Sequence, residues 1–263
     1  MKRRNQLLTF AGLIALFGFG LAYFGNAFRA AAEQKKAPDS TARLRFIHPA
    51  SGHPAFGKPG INLDPTADVH PSVILEGNIT VGAYSKIDAG TILTGNVTVG
   101  HHTLIRCNVV IRGRNRIGNY THIYDNVNIE GGRPGKFAGG SAAEVADQSI
   151  IGDECWINHG AVMHGTQIGD QAAVGVGAAC DLNTHIGKGA ILGNGSATNV
   201  DQVICDNCLA VGVPAVIKER NINDVFRKKY FGVLTTEWVH YQGAQMEKDS
   251  KDAIALGANK PTF

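Results

Sequence analysis

The stretch Val69–Gly100, VHPSVILEGNITVGAYSKIDAGTILTGNVTVG, decides the fold. An aliphatic residue stands at every sixth position: Val69, Leu75, Val81, Ile87, Leu93 and Val99. The beat runs on through Ile105, Ile111, Ile117, Ile123 and Ile129 without a slip. Four residues after most of these comes a small or β-branched side chain, as at Val73, Ile79, Ser85, Thr91, Val97, Thr103 and Val109. A period of six is neither helical nor the simple alternation of a strand. It is the signature of a solenoid in which each hexad is one short strand plus one corner. Three hexads close a triangular coil, with the aliphatic first position pointing inward. One coil cannot bury that face, whereas a stack of coils can. Chance alternation in a sandwich does not hold such a beat through eleven units.

The beat returns at Ile151, Ile157 and Met163, shortens by one residue, and resumes at Ile168, Val174, Cys180, Ile186, Leu192, Thr198, Ile204 and Ala210. The hexads make about seven coils. The expected fold class is therefore all-β: a parallel β-helix of hexapeptide repeats over residues 66–216, followed by a C-terminal α-helix and tail over 217–263. A Gly-rich insertion, GGRPGKFAGGSAAEVADQS, follows Glu130. The chain leaves the repeat at Pro214, and Ile222, Val225, Phe226, Phe231 and Leu234 form a helical stripe expected to pack along the prism. Beyond Glu247 the chain is polar and is expected to fray.

Composition agrees with such a core. Of 263 residues 44% are hydrophobic but only 7% aromatic, and 33 are glycine. The net charge of +3 is carried by the N-terminus, where Lys2, Arg3, Arg4 and Arg29 precede any acid. The remainder is slightly acidic, which gives no support to nucleic-acid binding. Residues 1–32 read as a signal peptide or membrane anchor. The segment has a basic start, the uncharged run LLTFAGLIALFGFGLAYF, and small residues with Ala30 and Ala32 placed for cleavage. Both fates put the rest of the chain in an exported location, periplasm or equivalent, with a membrane link only if the segment is uncleaved. Residues 33–65 hold five prolines and no clean period, and read as a linker or N-terminal arm. The five cysteines do not look like a disulfide framework. Cys205 and Cys208 form C-x-x-C, which raises a redox or zinc reading, but a second pair and the βαβ context of a thioredoxin are absent; the cysteines are read as repeat filler, with a bridge open to this pair after export.

WINHGAVMHGTQIG holds two histidines, His159 and His164, five apart. Glu130 and His164 are each the second residue of their hexad. If the insertion is extruded at a corner and Ile151 takes the next face, the two stack directly, roughly 4.8 Å apart. If VADQSI forms a strand of its own, Glu130 moves to another face. His159 is the third residue of its hexad, one face earlier, and cannot converge with that pair inside one prism. It can do so across a boundary between copies. His₂Glu plus a water is a catalytic zinc set, and two histidines with one carboxylate also suit iron(II). The plainer alternative is that both histidines cap turns or fill a corner.

The segments HIYDNVNIEG, IGDECWINHGAVMHGTQIGD and AVGVPAVIKE resemble the gamma-class carbonic anhydrases and their relatives, over roughly residues 66–245. The resemblance implies a left-handed β-helix and a homotrimer with zinc at each interface, iron(II) or cobalt(II) being alternatives. It also implies reversible hydration of CO₂ to bicarbonate, a carbonate dehydratase lyase. It puts the metal on His159, His164 and Glu130, and an Arg–Asp pair on Arg112 and Asp125. Tyr124 falls where the family has the glutamine that orients the bound solvent. There are departures: Glu130 replaces a histidine, His122 an asparagine, and for the proton-shuttle glutamate only Glu144 is a candidate. An anionic Glu130 lowers the charge on the metal and raises the pKa of its water. Two other classes stand beside this one. One is a hexapeptide acyltransferase with His159 or His164 as general base. The other is an inactive relative kept as a scaffold or assembly subunit.

Overall fold

The computed structural model describes residues 47–131 and 148–257. The expected signal or anchor (1–32) and Glu144 lie outside the described residues. Short parallel strands stack into a left-handed β-helix with three faces. Val69, Ile87, Ile105, Ile123, Ile157, Val174, Leu192 and Ala210 form the inward column of the first face. Leu75, Leu93, Ile111, Ile129, Met163 and Cys180 line the second. Leu63, Val81, Val99, Ile117, Ile151, Ile168, Ile186 and Ile204 line the third. Apart from partly buried Leu75, these side chains are buried and belong to one core cluster.

The small position four residues after each inward one has a stated job. Ser85 Oγ donates to the Gly100 carbonyl at 2.7 Å, Thr103 Oγ1 to Gly118 at 2.7 Å, and Thr121 Oγ1 to Gly152 at 2.8 Å. Each hydroxyl ties its corner to the coil above, where a larger side chain would not fit. Gly118 sits beneath Gly152 so closely that a Cβ would lie 2.5 Å from the Gly152 carbonyl.

The insertion changes the count but not the register. Stacked corners usually lie 18 residues apart, as Thr103 and Thr121 do, whereas Asn119 and Asp153 stack at a separation of 34. Ile151 takes the third face above Ile117, and Ser149–Ile151 is the strand that does so. The one-residue slip after Met163 falls in the corner around Gly165, which sits at φ +58°. It therefore shortens a turn without turning any strand over.

Two boundaries differ from the sequence expectation. Ile61–Leu63 already pairs with Ile79–Val81, because Ile61 and Leu63 continue the apolar columns. At the other end, α1 (Asp224–Phe231) and α2 (Thr235–Ala255) follow an antiparallel return strand, Val216–Glu219. Helix α1 is capped by Asn223, whose side chain accepts from Phe226 N at 3.0 Å, and is closed by Gly232 at φ +78°. Helix α2 does not fray after Glu247, because its polar residues are used. His240 Nε2 meets Glu154 at 2.5 Å, His102 Nε2 meets Glu247 at 3.2 Å, and Ser250 Oγ donates to the Thr66 carbonyl at 2.6 Å. The helix thus runs back down the coil stack. Gly243 lets it close on Tyr120; a Cβ there would stand 2.7 Å from the ring.

These elements leave the faces unequal. Outward side chains of the first face, including Leu104, His122, Ala173, Ile191 and Leu209, are buried. Ile222, Phe226 and Phe231 pack with that layer. The second face keeps outward apolar residues exposed, Ile74 at 46% and Val162 at 50%.

Candidate functional site

The second face carries Arg112, Glu130 and His164. Glu76, Thr94, Arg112, Glu130 and His164 are successive Cα partners in one outward column. The expected stacking of Glu130 under His164 is what the register shows. His164 Nε2 lies 3.9 Å from Glu130 Oε2, an ion-pair separation too long for a hydrogen bond. The Nε2 atom itself is buried and has no hydrogen-bond partner.

His159 stands at the other edge of the same face, in the corner that leads from the first face. Its Nδ1 lies 3.1 Å from Asp125 Oδ2. The other Asp125 oxygen accepts from Cys107 N at 3.2 Å, so the carboxylate is fixed from two sides. The His159 ring is half exposed and packs 4.9 Å from the ring of Tyr124. Trp238, from α2, donates its Nε1 proton to the Tyr124 hydroxyl at 3.3 Å. No sequence signal pointed to Trp238; the contact joins residues 114 positions apart.

Within one chain, then, two clusters stand apart: His159, Asp125 and Tyr124 at one edge, and Arg112, Glu130 and His164 at the other. The Arg112–Asp125 pair implied by the resemblance is not formed within the chain, because Asp125 is engaged by His159. No three metal-donor side chains gather in one place among the described residues. A neutral His159 donating Nδ1–H to Asp125 keeps a lone pair on Nε2, free to accept a proton or bind a metal.

His122 is placed differently. It lies between Leu104 and Trp156 on the first face, wholly buried beneath the C-terminal cover. Both ring nitrogens lack partners, as does the nearby Trp156 Nε1. Desolvation, helped by the charge of Arg106, pushes the imidazole pKa down to about 3. The unfolded chain therefore binds a proton between pH 6.5 and 3 that the folded chain refuses. Stability is unaffected above that window and falls as pH drops into it, by roughly 1.4 kcal/mol per pH unit from this group. His122→Leu is expected to remove this slope and to raise stability at pH 7 by about 1–2 kcal/mol, since an orphaned polar group is replaced by an apolar one. Urea titrations of both proteins at pH 7.5 and 5 (set on the order of one unit or more either side of the ordinary imidazole value) measure it. An unchanged slope refutes the assignment.

No family model matches the chain, and no curated protein is similar to it. Solved structures are. A hexapeptide transferase family protein from Anaplasma phagocytophilum is 19% identical, covering 72% of this chain and 90% of its own, with a TM-score of 0.45. A UDP-N-acetylglucosamine acyltransferase from Bacteroides fragilis is 15% identical over 66% and 79%, with a TM-score of 0.49. An N-acyltransferase from Bacillus cereus, solved with a dTDP-amino sugar and coenzyme A, is 15% identical over 65% and 89%, with a TM-score of 0.42. Such likeness concerns the fold and not the reaction.

Proposed function

We propose that this chain is a hexapeptide-repeat acyltransferase with His159 as general base. The observation that carries this reading is the His159–Asp125 pair at 3.1 Å, complete within one chain and open to solvent. With Asp125 accepting from Nδ1–H, Nε2 would take the proton of an acceptor hydroxyl or amine. The acceptor attacks the carbonyl of an acyl thioester. The thiolate leaves and receives the proton from His159. The test is release of free coenzyme A thiol from acetyl- and longer acyl-coenzyme A, with and without amino-sugar acceptors. Acceptor-dependent release is expected; its absence across the panel defeats the reading.

A metal-dependent second reading is favoured by a different observation. Glu130 and His164 stack in register, His164 Nε2 is buried without a partner, and His159 lies at the opposite edge of the same face. If copies pack through the second face, where Ile74 and Val162 are exposed, His159 of one copy reaches the pair on the next. A homotrimer closes such a head-to-tail contact. The donor set fits zinc, with iron(II) or cobalt(II) as substitutes: Glu130 and His164 from one copy, His159 from its neighbour. Zinc when bound would supply a polarised water for CO₂ hydration. Asp125 would orient His159, and Tyr124 would wall the site. Glu130→His is expected to keep the metal and to raise hydration at neutral pH, because a neutral ligand leaves more charge on the ion. Metal analysis and light scattering of the purified protein test this reading. A metal-free monomer sinks it, and an intact oligomer with neither metal nor transfer activity leaves the scaffold.

Export through residues 1–32 belongs to the same proposal. Acyl-coenzyme A is scarce outside the cytoplasm, so fractionation of the native protein bears on the choice. Recovery in the periplasm or on the membrane weighs toward the metal reading, and full-length cytoplasmic protein toward acyl transfer.

A further inference from the structure

Cys205 and Cys208 are not repeat filler; they form a disulfide across the corner between the third and first faces. Cys155 and Cys180 do match the filler expectation, as buried side chains of the repeat. The bridged corner lies near the top of the solenoid. In the lower coils the position of Cys208 is held by Ser85, Thr103, Thr121 and Cys155, each donating to a glycine carbonyl one coil on, and in the two coils directly beneath it by buried Ala172 and Ala190, which make no such tie. At Cys208 the chain is about to leave the coil, and the side chain there is joined to Cys205 instead. A purely structural staple would account for this much.

Three further features are not needed by a staple. The two sulfurs are unequal: Cys208 is buried at 2% exposure, whereas Cys205 is partly exposed. Arg220, immediately after the return strand, donates Nη1–H to Cys205 Sγ at 3.1 Å. And Cys205 lines an open groove of about 440 Å³ on the third face, with Gln167, His185 and Val203 along its floor and glycines at its corners. A C-x-x-C pair with one accessible sulfur, a cation against that sulfur and an approach for a second molecule is the arrangement that thiol–disulfide exchange requires.

The geometry points to Cys205–Cys208 as a thiol–disulfide exchange site, with Cys205 as the attacked sulfur and Arg220 as its charge partner. An incoming thiolate attacks Cys205 Sγ along the groove. The bond to Cys208 breaks, and Cys208 leaves as a thiolate that takes a proton from water. A second thiol then attacks the incoming sulfur of the mixed disulfide and releases the Cys205 thiolate beside Arg220. Two thiols become one disulfide, and the protein's disulfide accepts their two electrons. The co-reactant class is a thiol, either a small one such as glutathione or a cysteine pair in a peptide.

The folded full chain, carrying Cys107→Ser to remove the partly exposed free thiol, is equilibrated with glutathione redox buffers and, separately, with a reduced dicysteine peptide. Alkylation and mass spectrometry follow the thiols, while circular dichroism follows the fold. Cys155 and Cys180 do not interfere, since burial pushes both thiols up to about 12. The expected result is reversible reduction with native structure kept, and a glutathione adduct on Cys205 alone when Cys208→Ser is used. Arg220→Gln is expected to slow alkylation of reduced Cys205 near pH 7 by about tenfold, the effect of one pKa unit on a thiolate. Reaction with the peptide but not with glutathione, or the reverse, identifies the source of the thiol. Should Cys208→Ser fail to fold, the reversible titration and the Arg220→Gln rate still decide. A bond that is reduced only as the chain unfolds, or an alkylation rate indifferent to Arg220, leaves a structural staple and overturns the inference.

Discussion

His159→Ala is expected to lower acyl transfer by about 10²–10⁴-fold, the range for loss of a positioned general base. The fold should change little, because the side chain is half exposed and its one contact to the next coil, with Asp125, is a solvent-accessible ion pair. Asp125→Asn is the sharper companion. Its amide can present Nδ2–H to the ring, which turns the imidazole to the tautomer with the proton on Nε2 and removes the base without removing the histidine. A loss within about tenfold of that in His159→Ala is expected, with KM for the acyl donor little altered, since neither residue is assigned to donor binding. The same pair of variants separates the two chemistries. If His159 ligates a metal, His159→Ala loses bound metal along with activity, whereas a general base is lost with metal content untouched. Activity retained in both variants would end both assignments of His159.

The largest expected effect on stability is at the centre of the solenoid. Ile123→Ala should cost about 2–5 kcal/mol, through lost transfer energy and the cavity left behind. Ile123 is wholly buried and stacked between Ile105 and Ile157. The coils above and below are held at their spacing by backbone ladders, so the gap cannot readily collapse. Val203→Ala is the control: it occupies the outward side of a strand and is 69% exposed, and its change should stay within about 0.5 kcal/mol. Urea denaturation of both variants gives the comparison. Equal small effects would mean that the stacked column does not carry the fold.

The corner that holds His159 and the strand that holds His164 were both legible, because a strict six-residue beat assigns every residue a coil, a face and a direction. The same arithmetic put Glu130 beneath His164 once the insertion was taken as extruded. It was less successful wherever a residue's partner lay outside the repeat. Tyr124 was given a role by resemblance alone, and its hydroxyl is held by Trp238. His122 marked only a departure from a family pattern, yet it is a neutral imidazole sealed under the C-terminal cover. Glu247 looked like the start of a fraying tail and instead meets His102.

What the amino-acid sequence determined by itself is the solenoid: an aliphatic residue every sixth position leaves one way to bury it, by stacking coils in register. It also determined which side chains share the second face, since in-register stacking copies each hexad position vertically. What only the tertiary structure decided is everything that depends on the path of the chain after Pro214. The return strand brings Arg220 to Cys205, α1 packs with the layer over the first face, and α2 runs back to Trp238–Tyr124, His240–Glu154 and Ser250–Thr66. These contacts join residues far apart in sequence through single side chains, with no period to announce them. Their partners are selected by where a helix of given length comes to rest on the prism.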